Sequence, residues 1–179
     1  MDQHVRLRPV EESDLELLTR FDWDPDTAGE FQWFGFRVDK ARDLERRWRE
    51  DGLIGEEASS HLAVVLDDGT CAGVVNWRRV GRWAIYEIGI VLFPEHRRHG
   101  IGTEAQRQLV HHLFSTTTAH RLQAGTEVDN VAEQKSLERV GFKREGVSRG
   151  VHFRAGEWRD NVLYGLLRGE QRTAPATGS

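Results

Sequence analysis

The sequence predicts an α+β domain with a mixed β-sheet at its centre, and three observations carry that prediction. The 179 residues are 38% hydrophobic and 30% charged, which suits one compact domain with a sizeable core. Strand-like and helix-like periodicities succeed one another in the order β-α-α-β-β-β-α-β-α-β-β. An Asp-Gly pair at 68–69 sits between two strand-like runs and marks a hairpin, so at least part of the sheet is antiparallel.

The elements follow in order. "HVRLRPV" alternates and then meets a proline, which gives a short strand. "SDLELLTRF" has Ser13 and Glu16 at capping-box spacing, which places a helix start near Ser13. Residues 22–36, "DWDPDTAGEFQWFGF", mix acids, aromatics and glycine without a period and read as a loop. "VDKARDLERRWRED" is a charged amphipathic helix with Leu44 and Trp48 on one face. "SHLAVVL" and "TCAGVVNW" are the hairpin strands, and residues 82–92 form a further strand ended by Pro94. The next helix follows "RRHGIG" (97–102) and aligns Ile101, Ala105, Leu109 and Leu113. "HRLQAGTEV" is a strand, "NVAEQKSLERV" a helix stopped at Gly141, and "FKREGVSRGV" and "EWRDNVLYGLL" are the closing strands. One folded unit spans 1–168, and the small, polar residues 169–179 form a flexible tail.

Composition narrows the function classes. A net charge of −4 gives no support to nucleic acid or an anionic membrane as partner. Cys71 is the single cysteine, so no intramolecular disulfide forms, and a reducing, cytoplasmic setting is expected. No apolar run reaches membrane-spanning length, and residues 1–14 lack the apolar core of a signal peptide. No metal is expected either. His111 and His112 are adjacent on a helix and diverge by about 100°, while His96 and His99 flank the glycine turn, where phosphate or solvent would meet them.

The turn at 97–102 carries the chemistry. A helix start presents free N–H groups and the positive end of the helix dipole, which together attract anions. Gly100 and Gly102 allow a bulky anion close to the main chain, and Arg97 and Arg98 add charge. A dinucleotide fingerprint is excluded because Thr103, Glu104 and Ala105 follow Gly102 without a third glycine, and no Gly-Lys-Ser/Thr is present for a nucleoside triphosphate loop.

Arg97-x-x-Gly100-x-Gly102, placed after a strand and opening a helix, resembles the acetyl-CoA pyrophosphate motif of the GNAT superfamily of N-acetyltransferases, with the RimJ/RimL type as the nearest flavour. "VRLRPVEESDLELL", "HLAVVLDDGTCAGVV", "EIGIVLFPEHRRHGIGTEA", "HRLQAGTEVDNVAEQKSLERVGFKREG" and "WRDNVLYGLL" keep the family's order over about 165 residues. The resemblance implies a mostly antiparallel twisted sheet of about seven strands flanked by four helices, splayed into a V between the fourth and fifth strands. It implies acetyl-CoA as co-substrate, held by main-chain N–H groups of Arg98, His99, Gly100, Ile101, Gly102 and Thr103 beside Arg97. Ile90 and Leu92 would pair edge-on with the pantetheine amides. Asn130 would reach the pantetheine arm, although Asn130 and Glu133 also have the spacing of a helix cap.

Amine acetylation needs a neutral amine, a polarised thioester carbonyl and a proton for the departing thiolate. A main-chain N–H near Leu92 suits the second task. Glu87, on the strand leading to the coenzyme site, is the candidate base, with a solvated surface charge as its alternative reading. The family's usual acids are missing. Leu137 occupies the place of a tyrosine and Glu133 that of a serine. A protonated Glu133 is one candidate acid beside its reading as a helix cap, Ser136 and Tyr164 are lesser ones, and a thiolate is a fair leaving group that needs no dedicated acid.

The resemblance puts the 22–36 loop beside the acceptor cleft. Asp24, Trp33 and Phe34 there suit a cationic amine through charge pairing and cation–π contact. The aromatics equally suit core packing or a homodimer surface. The expected acceptor is a small cationic metabolite or antibiotic; a ribosomal-protein N-terminus and a non-catalytic acyl-CoA-binding module are the alternatives.

Overall fold

The computed structural model describes residues 4–36, 38–55 and 59–171, with the main chain alone for 38–41. Its elements are β1 (Val5–Arg8), α1 (Glu12–Trp23), α2 (Pro25–Ala28), α3 (Val38–Asp51), β2 (Ser60–Leu66), β3 (Cys71–Arg79), β4 (Ile85–Leu92), α4 (Ile101–Thr116), β5 (Arg121–Glu127), α5 (Val131–Val140), β6 (Lys143–Arg154) and β7 (Glu157–Leu167). The strands form one seven-stranded sheet in the order β1-β2-β3-β4-β5-β7-β6. Every neighbouring pair is antiparallel except β4 and β5, which run parallel.

That parallel pair makes the opening on which the site depends. β4 and β5 are in register only at Ile85–Arg121, Tyr86–Leu122 and Glu87–Gln123. Past Ile88 β4 has no partner on that side, so the sheet splays into the expected V. Helices α4 and α5 cover one face, where Ile101, Ala105, Leu109 and Leu113 pack against Val75, Trp77, Ile88, Leu122 and Tyr164. α1 and α3 cover the β1–β4 half of the other face, with Leu15, Leu18, Leu44 and Trp48 against Ala63, Val65, Val74 and Phe93. The predicted stripe on α4 is thus its core face.

Three expectations change. α1 starts at Glu12, near Ser13 as expected, but its capping pair is Glu11 and Asp14, not Ser13 and Glu16: the Asp14 carboxylate accepts from the Glu11 N–H at 2.9 Å. Asp14 wins over Ser13 because Arg8, arriving from β1, grips its carboxylate at 2.6 and 3.1 Å. The 22–36 loop contains the single turn α2, capped by Asp24 and led by Pro25, an Asp-Pro start signal that is legible in the sequence. The chain past β7 continues as a 3₁₀ turn, Arg168–Glu170, whose Arg168 donates to the Ala119 carbonyl at 2.7 Å. The rest of the expected tail, 172–179, lies outside the described residues.

Candidate active site

The β4–α4 side of the opening is built almost wholly from main chain. In an antiparallel pair, hydrogen-bonding groups alternate between the two edges of a strand. Phe93 donates to the Ala72 carbonyl and Val80 to the Ile85 carbonyl, so the odd-numbered residues of β4 face β3. The N–H and C=O groups of Ile90 and Leu92 therefore point into the open V, beyond the last bridge to β5 at Glu87–Gln123. Ile90 and Leu92 present a free strand edge where the sequence placed a pantetheine contact. The Leu92 carbonyl is the exception, because it accepts from Arg97 Nε at 2.9 Å.

Past β4, a 3₁₀ turn at Pro94–His96 leads into the glycine turn. Arg98 and Gly100 both adopt left-handed backbone (φ 68° and 80°), which bends the chain into a concavity of N–H groups. The first helical bond of α4 runs from Glu104 to the Gly100 carbonyl, and no side chain caps the helix. Among the described residues, the N–H groups from Arg98 to Thr103 have no main-chain acceptor. Ile101 contributes only its amide, since its side chain is core. Gly102 lies opposite β4, where a Cβ would touch Leu92 Cδ1 at 3.4 Å and Ile90 Cδ1 at 3.7 Å.

Arg97 is a correction. Besides Leu92, its guanidinium donates to the carbonyls of Thr27 (2.5 Å) and Ala28 (3.1 Å), and burial lowers its pKa. It ties α2 to the end of β4 and is not turned toward the open amides; Arg98 and His99 are the exposed side chains of the turn. Gly29 makes room for that tie, because a Cβ there would stand 2.5 Å from Arg97 Nη1.

Helix α5 supplies the second wall. Asn130 caps it, accepting from the Glu133 N–H at 3.4 Å while its amide donates to Thr126 Oγ1 at 2.9 Å. The cap reading therefore holds, and its side-chain amide is engaged with the protein. Glu133 turns toward α4. The residue keeps some surface, but its carboxyl is enclosed between the helices and accepts from Gln106 Nε2 at 2.5 Å. Burial pushes its pKa up to about 7, against the lowering effect of the Gln106 bond. Ser136 Oγ donates to Gln106 Oε1 at 2.9 Å and lies 2.9 Å from Thr103 Oγ1. Tyr164 is removed from consideration: its ring is core and its hydroxyl donates to Glu138 at 3.1 Å.

Glu87 stands where β4 and β5 still pair, at the vertex of the V. Its carboxylate accepts from Arg78 on β3 at 2.6 Å, and it lines neither cleft described below.

Two hollows open at the mouth of the V, on either side of Phe34. One, about 360 Å³, is bounded by Phe21, Asp22, Phe34, His152 and Phe153. The other, about 560 Å³, is bounded by Glu30, Trp33, Phe34, Phe153 and Arg154. Trp33 lines the second of these hollows and Phe34 lines both. Asp24 is a correction: its oxygens take the Asp26 N–H (3.0 Å) and the Thr27 hydroxyl (2.5 Å), which holds its pKa below the usual range, and it caps α2 instead of facing a hollow. The acids at the cleft are Asp22 and Glu30.

The far wall comes from β6 and was not anticipated. Arg154 is buried and gives Glu127, at the end of β5, two bonds of 2.7 Å; these depress the Glu127 pKa. The same guanidinium lies over the Phe31 ring at 5.5 Å and 3.9 Å from Glu30. The loop is thus pinned at both sides of the V, by Arg97 near β4 and by Arg154 near β5. No local pattern in the sequence pairs residue 154 with residue 127.

Comparison with known proteins agrees with this fold. The model of the acetyltransferase (GNAT) domain matches residues 4–143. An uncharacterized N-acetyltransferase, p20, of Bacillus licheniformis is 27% identical over 172 residues, 94% of this chain and 95% of that one. Among solved structures, a spermidine N-acetyltransferase from Vibrio cholerae in complex with CoA and spermine has a TM-score of 0.77 at 19% identity, covering 93% of this chain and 96% of that one. Mycobacterium smegmatis RimJ in complex with CoA-disulfide has a TM-score of 0.75 at 23% identity, covering 93% and 83%. Those two likenesses are of fold. With the domain model spanning more than three quarters of its length, the chain belongs to the GNAT acetyltransferase family.

Proposed function

We propose that the protein transfers an acetyl group from acetyl-CoA to the primary amine of a small cationic acceptor, a metabolite or an antibiotic. The observation that carries this reading is the pairing, at one V-shaped opening, of uncommitted main-chain amides on one side with an acidic, aromatic cleft on the other. The N–H groups from Arg98 to Thr103 would take the coenzyme's diphosphate. The open edge at Ile90 and Leu92 would pair with the pantetheine amides, and the Leu92 N–H would polarise the thioester carbonyl. Asp22 and Glu30 would attract the protonated amine, and Trp33, Phe34 and Phe153 would flank its carbon chain.

For transfer, the amine must lose a proton, attack the carbonyl carbon and expel the thiolate. Glu87 is the assigned base, acting through water from the vertex of the V. Glu133 is the assigned acid: with a pKa of about 7 it retains a proton that a thiolate can take. The spermine in the Vibrio cholerae neighbour supports a polyamine-like acceptor. A second reading, acetylation of a protein N-terminus, is favoured by one feature: the two hollows share Phe34, Gly35 and Phe153 and so make an extended groove suited to a peptide.

The test is thiol release from acetyl-CoA against spermine, amino sugars and a peptide with a free N-terminus. Release with the small cations at least tenfold above the peptide supports the first reading, and the reverse order supports the second. Glu87→Gln should lower turnover by about 10²-fold or more without weakening CoA binding. Undiminished turnover removes Glu87 from the mechanism.

A further inference from the structure

The four side chains between α4 and α5 form one hydrogen-bond chain, and the number of protons fixes its direction. Gln106 is 1% exposed, and its amide is held at both ends: Nε2 donates to Glu133 Oε1 and Oε1 accepts from Ser136. A hydroxyl has one proton to give. Ser136 spends its proton on Gln106, so the 2.9 Å contact with Thr103 uses the Thr103 proton. All donors then point from Thr103 toward Glu133, which accepts and so can carry its negative charge here. Thr103 belongs to the first turn of α4 and turns a lone pair outward, the wrong polarity for a phosphate oxygen.

The opposite polarity satisfies the same atoms equally well. A side-chain amide exchanges its oxygen and nitrogen by a half-turn. With Glu133 protonated, its O–H donates to Gln106 Oε1, Gln106 Nε2 to Ser136 and Ser136 to Thr103. The Thr103 hydroxyl is then free to donate to an anion on the open amides. The first arrangement accommodates a charged Glu133, whereas the second, with Thr103 turned to an occupied site, requires Glu133 to be neutral.

We propose that Thr103, Ser136 and Gln106 couple the anion site at the start of α4 to the protonation of Glu133, so that binding of the coenzyme's diphosphate draws one proton from solvent onto that carboxylate. Gln106 and Ser136 are positioning residues in this scheme. The proton is loaded onto Glu133 as the diphosphate arrives and is held there by the bond to Gln106. The inference rests on the coenzyme reading above. Its energetic setting is favourable: the Glu133 pKa of about 7 makes both states accessible near neutral pH, and among the described residues no charged side chain biases it. The groups that face it are the Gln106 amide from α4 and, on α5, the main-chain cap to Asn130.

The test is calorimetry of CoA binding to the full chain at pH 7, in buffers of different ionisation enthalpy, which counts protons taken up per CoA. The wild type should take up about half a proton more than Glu133→Gln, since a group at its pKa is half protonated beforehand. Thr103→Val keeps the main-chain amide and lies at the rim; it should fall to the Glu133→Gln value, as should Gln106→Met. Ionisation of the coenzyme's own phosphates is common to all variants and cancels in the differences. Wild-type uptake by Thr103→Val, or no difference between wild type and Glu133→Gln, overturns the coupling. Absence of any heat with CoA instead overturns the coenzyme reading, and the coupling falls with it.

Discussion

The two halves of the V are made of different material. The coenzyme half consists of main-chain groups left over where β4 loses its partner and where α4 begins uncapped. The half proposed for the acceptor consists of side chains from the 22–36 loop and the end of β6, brought together by Arg97 and Arg154. Main-chain sites follow from where elements start and stop, so sequence changes that keep those boundaries leave them intact. Side-chain clefts depend on every residue that lines them and on the long-range ties that hold the lining.

Breaking the acceptor half should have the largest effect on stability. Arg154→Met leaves the buried Glu127 carboxylate unpaired and should cost about 3–5 kcal/mol in chemical denaturation. CoA affinity should change little, because Arg154 touches no part of the coenzyme half. A parallel loss of CoA affinity would show that the two halves do not separate.

Glu133 tests the buried polar layer behind the coenzyme half. Its pKa rises on folding from the ordinary carboxyl value of 4.5 to about 7, so burial favours the protonated form. The sign follows: stability from this group is complete below pH 4.5 and is lost as pH rises through 7. Glu133→Gln should therefore be close to neutral at pH 4.5 and stabilising by about 3 kcal/mol at pH 8, read from the two denaturation midpoints. An equal effect at both pH values would mean that the carboxyl is not held neutral.

Gly102→Val tests the coenzyme half alone. The added methyls enter the narrow gap before Leu92 and Ile90, and CoA affinity measured by calorimetry should fall by about 10- to 100-fold, equivalent to 1–3 kcal/mol of overpacking. The smallest effect is expected at the cleft rim. Trp33→Ala should raise KM for a cationic acceptor by about 3- to 30-fold, the worth of one cation–π contact, with KM for acetyl-CoA unchanged. A change in KM for acetyl-CoA alone would place Trp33 in the other half.

The same division explains what could be read early. The "RRHGIG" turn was legible because strand, glycine and helix-start signals are adjacent in the chain and need no distant partner. Trp33 and Phe34 were legible as aromatics in an acidic loop. Asp24 was misassigned because an aspartate before a proline is satisfied locally, by the turn it caps. Arg97 was misassigned because its partners, Thr27 and Ala28, lie some seventy positions away. Gln106 carried no signal at all, since a glutamine on a helix gives no hint of which residue on another helix it will meet.

What the amino-acid sequence determined by itself is the run of elements, the α4 core stripe and the uncapped glycine turn, because each arises from residues within a few positions of one another. Only the tertiary structure decided which donors remain uncommitted. It parted β4 from β5 after three pairs, turned Arg97 away to hold α2, paired Arg154 with Glu127, and enclosed Glu133 against Gln106. The physical reason is that hydrogen-bond satisfaction and burial are properties of the whole packing, and a side chain's chemistry is free for function only where that packing leaves it so.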